Sequence, residues 1–210
     1  LTTLSRLNET AECLGIRTES GKAVRFVPPG TRDAYYEVRV FESGHVETRP
    51  DSLHDWFNAL AWLAFPKTKA RINAMHAAEI PREGARRGRL RDMLTLFDEG
   101  GAIVQCPEDL KEMILSFSWQ ELFWRNRERV RAEARFLVLG HAVLEKALEP
   151  WPGLTCKVLF AREDSDAAVI LSGCKTPQDL APLPVFGYPG WLAQDEAFYD
   201  DTRYFRERRT

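Results

Sequence analysis

Apolar and polar positions along this chain fall in short blocks, and helical spacing is commoner among them than strand alternation. Residues 5–14 carry a short helical pattern halted by Gly15. Residues 22–27 read as a strand ended by Pro28-Pro29-Gly30. Residues 35–41 alternate as a second strand, turned by Glu42-Ser43-Gly44 into a third at 45–48. Two helices, 52–65 and 66–80, are then predicted to form a hairpin, with Ser52 as N-cap and Pro66 opening the second helix. Residues 93–97 read as a strand, and Asp98-Glu99-Gly100-Gly101 as a turn leading into a strand at 102–105. Pro107 starts a helix reaching about Phe117, and Ser118 caps another from Trp119 to about Ala132. After the apolar stretch 136–139, Gly140-His141 opens a helix ending near Leu148. A strand at 155–160 and a helix at 166–171 follow. The stretch 176–210, rich in Pro, Gly and aromatics, reads as an ordered wrap over the body.

Helices outnumber strands and do not alternate with them as βαβ units. The expected fold is therefore α+β: one helix-rich domain over 1–210, with a small antiparallel sheet and a central helical hairpin at 52–80. No glycine-rich turn joins a strand to a helix, which removes dinucleotide-binding and P-loop readings.

Composition narrows the class. Hydrophobic residues make up 44% of the 210 positions and charged residues 29%, so the chain can build a core and is not read as disordered. A net charge of -2 supplies no general attraction for nucleic acid, and any such binding must come from a local patch. No apolar run approaches the roughly 20 residues of a membrane span, and no signal peptide is visible. Cys13, Cys106, Cys156 and Cys174 show neither C-x-x-C nor zinc-finger spacing and read as reduced thiols of a cytoplasmic protein.

Chemistry concentrates in the hairpin. At roughly 100° per residue, Leu53, Trp56, Phe57, Leu60, Leu63 and Ala64 make an apolar arc, and His54, Asp55 and Asn58 share the remaining one. Lys69, Asn73 and His76 share a face of the second helix. With a tight turn at Phe65-Pro66, Asn58 is expected level with Asn73, and His54 nearly level with His76. Three roles are open to such a cluster. His54, Asp55 and His76 can ligate a divalent metal with a position left for water. Alternatively a histidine, held by Asp55, acts as general base while Lys69 neutralises an anion. The third role is a satisfied polar network that only fixes the helix pair.

Other groups border this one. Arg82, Arg86, Arg87, Arg89 and Arg91 crowd the following loop, with Gly84 and Gly88 between them, and suit phosphate. Asp98 and Glu99, adjacent acids, suit magnesium or a plain turn. Asp92 is placed to pair with an arginine of the loop. His141 and Glu145 share one helix face.

Four stretches together resemble a known family. They are TRPDSLHDWFNALAWLAFPKTKARINAMH (48–76), RGRLRDMLTLFDEGG (87–101), GHAVLEK (140–146), and the closing PLPVFGYPGW with FYDD. They resemble the bacterial domain-of-unknown-function family 3025 over nearly the whole chain. The resemblance implies a bacterial origin and brings no activity. It implies that His54, Asp55, Asn58, Lys69, Asn73, His76, Arg91, Asp92, Asp98, Glu99, His141 and Glu145 are patterned positions. The leading expectation is a hydrolase, metal-assisted, acting on a phosphorylated or otherwise anionic small substrate. In it His54, Asp55, Asn58, Asn73 and His76 do the chemistry, Lys69, Arg86, Arg87 and Arg91 hold the anion, and Asp98 and Glu99 complete a metal site. The alternative is a non-catalytic module that binds nucleic acid or protein through the 82–91 loop.

Overall fold

The computed structural model describes residues 3–30, 35–83, 87–192 and 195–208. Helix α1 (Thr3–Cys13) stops before Gly15, which takes a positive φ of 62°. Strand β1 (Arg25–Val27) pairs in parallel with β2 (His45–Glu47), and helix α2 (Tyr36–Ser43) lies between them in the chain. Parallel neighbours need a crossover rather than a tight hairpin, and α2 supplies it. The strand expected at 35–41 is therefore corrected to a helix. Tyr36, Val38 and Val40 fit a period of two, but Tyr36 and Val40 also stand i, i+4, and seven residues do not separate the periods. Gly44 decides the matter: it sits left-handed at φ 78°, and its N–H donates to the Val40 carbonyl at 2.8 Å, closing the helix.

The hairpin forms as its spacing predicts. Ser52 Oγ accepts from the Asp55 N–H at 3.2 Å and caps α3 (Leu53–Ala64), and Pro66 opens α4 (Pro66–Glu79). Ala59 and Trp62 of α3 and Ala70 of α4 bury into an N-terminal core shared with α1, β1 and β2.

Helix α5 (Arg89–Gly100) replaces both the strand expected at 93–97 and the turn expected at 98–101. Leu90, Met93, Leu94 and Phe97 stand at i, i+3, i+4 and i+7, and the last three are fully buried. The chain passes from α5 directly into β3 (Gly101–Gln105). Asp98 and Glu99 consequently sit on the last turn of a helix.

The main sheet has the order β4 (Arg135–Val138), β3, β5 (Thr155–Phe160), β6 (Ala181–Pro184). It is mixed rather than wholly antiparallel: β3 pairs antiparallel with β4 but parallel with β5. The long path from β3 to β5 allows this, running through α6 (Glu108–Leu115), α7 (Arg127–Glu133), β4 and α8 (His141–Lys146). The helix expected from Trp119 to Ala132 is interrupted by a π-helical turn at Glu121–Arg125, and Asn126 Nδ2 donates to the Glu121 carbonyl at 2.8 Å there. Both faces of the central strands are covered. Ala102, Val104, Cys156 and Val158 face one core, while Ile103 and Leu159 face another built with α5 and α9 (Asp164–Gly173). The C-terminal segment closes the first of these cores. Tyr204 Oη donates to the Leu154 carbonyl at 2.7 Å and accepts from the Phe186 N–H at 2.9 Å. Among the described residues no helix is long and apolar enough to cross a membrane.

One junction fixes how α8 meets the rest of the molecule. This helix packs against both α3 and α5. A Cβ on Gly140, just before α8, would lie 2.6 Å from the Gly101 nitrogen and 2.7 Å from the Glu99 carbonyl oxygen. That contact sets His141 beside the end of α5. Gly140→Ala is expected to destabilise the fold by about 1–3 kcal/mol, read as a lower urea midpoint. An unchanged midpoint would show that the junction has slack.

Candidate functional site

The four helices α2, α3, α5 and α8, with α4 behind them, enclose a cleft of about 450 Å³. Its walls carry Tyr36, Glu37, His54, Asp55, Asn58, His76, Arg87, Arg91, Asp98, Glu99 and His141, among others. The hairpin contributes only part of this wall. Helix α3 turns its polar face toward α8, and α4 turns toward α2 and α5. For that reason the expected pairings across the hairpin do not form. His54 hydrogen-bonds His141 and Glu145 instead of His76, and Asn58 and Asn73 each bond a third partner.

Behind the cleft wall lies a buried ion pair, of which only Asp98 lines the cleft. Lys69 is 3% exposed, and its ammonium donates to Asp98 Oδ1 and, at 2.8 Å, to Asn58 Oδ1. Asn58 in turn donates to the Tyr36 hydroxyl at 3.4 Å. Burial by itself would raise Asp98, but the ammonium of Lys69 beside it holds it below the usual carboxylate range. Glu37 behaves oppositely. Burial, reinforced by the charge of Asp98, pushes it up to about 7, against the opposing hydrogen bond from Asn73 Nδ2 at 2.6 Å. The Tyr36 hydroxyl is also raised by burial and stays protonated.

Two histidines are kept neutral. His76 is pushed down to about 4, chiefly by burial, and receives Arg91 Nε at 3.5 Å on its Nδ1. His141 is likewise pushed down to about 4 by burial. Its Nε2 lies 3.1 Å from His54 Nε2, with the ring planes 78° apart. On the outer side His54 Nδ1 meets Glu145 Oε2 at 3.0 Å.

The remaining predicted residues take other places. Asp55 is clamped by Arg49, whose Nε and Nη2 donate at 2.7 and 2.9 Å and hold the carboxyl below its usual range. Lys69 and Asn73 lie behind the cleft wall, around a small cavity shared with Glu37, Asn58 and Asp98. Arg87 pairs with Asp92 at 3.0 Å, Arg91 with Glu83 at 3.0 Å, Arg82 with Glu79 at 3.0 Å, and Arg89 reaches Gln178. Arg86 lies outside the described residues. Among the described residues no group of three or more His, Cys, Asp or Glu is placed to hold a metal ion. The expected set of His54, Asp55 and His76 is thus not assembled, since Asp55 faces Arg49 and the two imidazoles face different neighbours. Asp98 is likewise engaged by Lys69, so Asp98 and Glu99 do not offer a free pair of carboxylates.

Sequence reasoning passed over Tyr36 and Glu37, because a strand at 35–41 gave them no reason to face the hairpin. The i, i+4 pair Tyr36 and Val40 followed by Gly44 is the signal that places them on a helix.

A helix-rich α+β fold with a polar cleft between its helices is the class this geometry defines. The chain matches, over residues 24–209, the family described as "Protein of unknown function (DUF3025)", and it belongs to that family. No curated protein and no solved structure matches it.

Two measurements check this electrostatic picture. Lys69→Met strands the Asp98 charge and is expected to cost about 3–5 kcal/mol of stability, of which a second change, Asp98→Asn, recovers a part. Equal losses in the single and double variants would contradict the pairing. The pH dependence has two opposing parts. His76 and His141 titrate near 4 in the fold against an ordinary 6.5, so the unfolded chain binds more protons between these values and stability falls as pH drops through them. Glu37 is raised from an ordinary 4.5 to about 7, so its contribution is lost as pH rises through that window. Glu37→Gln should therefore raise the melting temperature, relative to the unmodified chain, more above pH 7 than below pH 4.5. A shift of the same size at both ends counts against the assignment.

Proposed function

We propose that the protein is an enzyme of the hydrolase class that uses general acid–base chemistry, supplied by its own side chains, on a small substrate carrying one anionic group. The observation that carries this reading is the pair of carboxyl groups in one cleft whose protonation is driven apart, Glu37 up to about 7 and Asp98 below the usual range. Two carboxyls separated in this way divide the roles of acid and base. Glu37, partly protonated at neutral pH, donates to the leaving group, and ionised Asp98 draws the proton of an attacking water. Arg87 and Arg91 line the same cleft and orient the anionic group.

The charge balance favours a small anion over a nucleic-acid backbone. Lys69, Arg49, Arg87 and Arg91 each have a carboxylate partner in Asp98, Asp55, Asp92 and Glu83. A polyanion needs a row of cations free to release counterions. Within the 82–91 loop, Arg82, Arg87 and Arg91 are each paired with a carboxylate, which favours the small-anion reading over the binding-module one. Four free cysteines suit a reducing compartment, and the reading places the enzyme in the cytoplasm.

The test is a screen of small phosphate esters, carboxylic esters, amides and glycosides, followed by a pH–rate profile on whichever class turns over. A limb near pH 7 is expected. Glu37→Gln should abolish it and lower kcat/KM by about 10²–10⁴-fold. Full activity with an unchanged limb in Glu37→Gln would remove the proposal.

A further inference from the structure

Glu37 stands in the wall between two spaces, the open cleft and the small cavity behind it around Lys69 and Asn73. Asn73 holds it from the cavity side. Asn73 Nδ2 donates to Glu37 Oε2 at 2.6 Å and to the Glu37 backbone carbonyl at 2.8 Å. The second contact fixes which way the amide points, because a backbone carbonyl only accepts and must meet the NH2 end. The other end, Asn73 Oδ1, is buried without a hydrogen-bond partner in a residue 1% exposed. An unpaired buried acceptor is costly, so Glu37, and not the satisfaction of its own groups, holds the amide in this orientation. Among the described residues no other donor is hydrogen-bonded to the Glu37 carboxyl.

We infer that Asn73 is a positioning residue for the acid of the proposed reaction: it anchors Glu37 Oε2 from behind the wall, so that the proton Glu37 gives up sits on Oε1. This rests on the acid–base reading of the cleft and specifies which oxygen of Glu37 serves it. In a protonated carboxyl, the oxygen that accepts a 2.6 Å N–H bond is the carbonyl one, and the hydroxyl falls to the other. During the step the Oε1–H bond breaks as the leaving-group atom takes the proton. The negative charge left on Glu37 is met at Oε2 by the amide. That hydrogen bond strengthens as the charge develops, since a charge-assisted bond outweighs a neutral one. Asn73 therefore favours release of the proton, whereas burial and the charge of Asp98 on α5 oppose it. Lys69 on α4 and Arg91 on α5 act in the same sense as Asn73 and more weakly. The two contacts from Asn73 also tie α4 to α2, so the amide sets both the place of the carboxyl and the hold on its proton.

Infrared difference spectroscopy of the full chain, titrated without substrate, tests this, with the Glu37 bands assigned by their loss in Glu37→Gln. Asn73→Leu nearly preserves size and removes both donors. Glu37 should then bind its proton about tenfold more tightly, the margin of a charge-assisted hydrogen bond over a neutral one. The carbonyl band of protonated Glu37 should also move to higher frequency, because its oxygen no longer accepts. Asn73→Asp, of the same shape, sets a second carboxyl against the first and should raise the titration midpoint in the same direction. It keeps the test open if the leucine variant fails to fold. The inference is overturned by a Glu37 midpoint that neither substitution moves, or by a carbonyl band unchanged in Asn73→Leu. An Asn73 that only joined α2 to α4 would lower the melting temperature and leave both spectral readings in place, which counts equally against it. The readout is a difference between variants and needs no turnover. A failed activity test of Glu37→Gln would therefore leave the Asn73 result to stand or fall by itself.

Discussion

The buried contact between Lys69 and Asp98 is the constraint on which the rest of the site depends. A lysine 3% exposed is stable in the fold only if its charge is met. Asp98 meets it, Asn58 takes a second proton of the ammonium, and Trp62 lies under it at 5.7 Å from the ring centroid. The same pair fixes α4 to α5 through the middle of the molecule. Once Asp98 is held ionised, the titratable groups around it feel its charge in opposite ways. Glu37 resists giving up its proton, and the histidines around Asp98 feel an attraction that only partly offsets their burial. Burial sets the direction of each shift, and the ion pair adjusts it.

Much of this was legible in the residues, and the parts that were not share a cause. The hairpin was legible because Ser52, Pro66 and a continuous apolar arc mark its ends and its inner face. Asp98 and Glu99 were visible as acids, but the helix carrying them was read as a strand and a turn. The largely apolar run at 93–97 looks alike under either period, and only the wider spacing from Leu90 to Phe97 resolves it. The partners of His54 were misjudged for a different reason. Helical geometry places residues on faces, but which face meets which helix depends on how α8 docks. That docking is set by Gly140 against Gly101, a contact far along the chain from the hairpin. His141 and Glu145 stood out as an i, i+4 pair, and nothing local pointed them at His54.

The cleft combines a neutral interior with a balanced rim. Its two inner histidines carry no charge at neutral pH, its inner tyrosine keeps its proton, and its cations are matched by carboxylates. Such a lining holds little net field, so selectivity for a ligand must come from hydrogen-bond geometry more than from attraction at a distance. Glu99 lines the same wall and adds a carboxylate near the Asp98 end. Acceptors at Asp98 and Glu99 and donors at Arg87 and Arg91 line the same cleft, so it holds both kinds of group even though its overall charge is small.

Contacts that hold the cleft and its supporting helices join residues far apart in the chain: His54 and Glu145 are 91 positions apart, and Asp164 caps α4, behind the cleft, from 96 and 97 positions away. Loops of that length close late, because their entropy must be met before the contacts reward it. During synthesis on the ribosome Asn73 and Lys69 emerge with Glu37 and Asn58 already available, and α5 then brings Asp98 to Lys69 and Arg91 to His76. His54 alone waits for α8, so the outer wall of the cleft belongs to the finished fold.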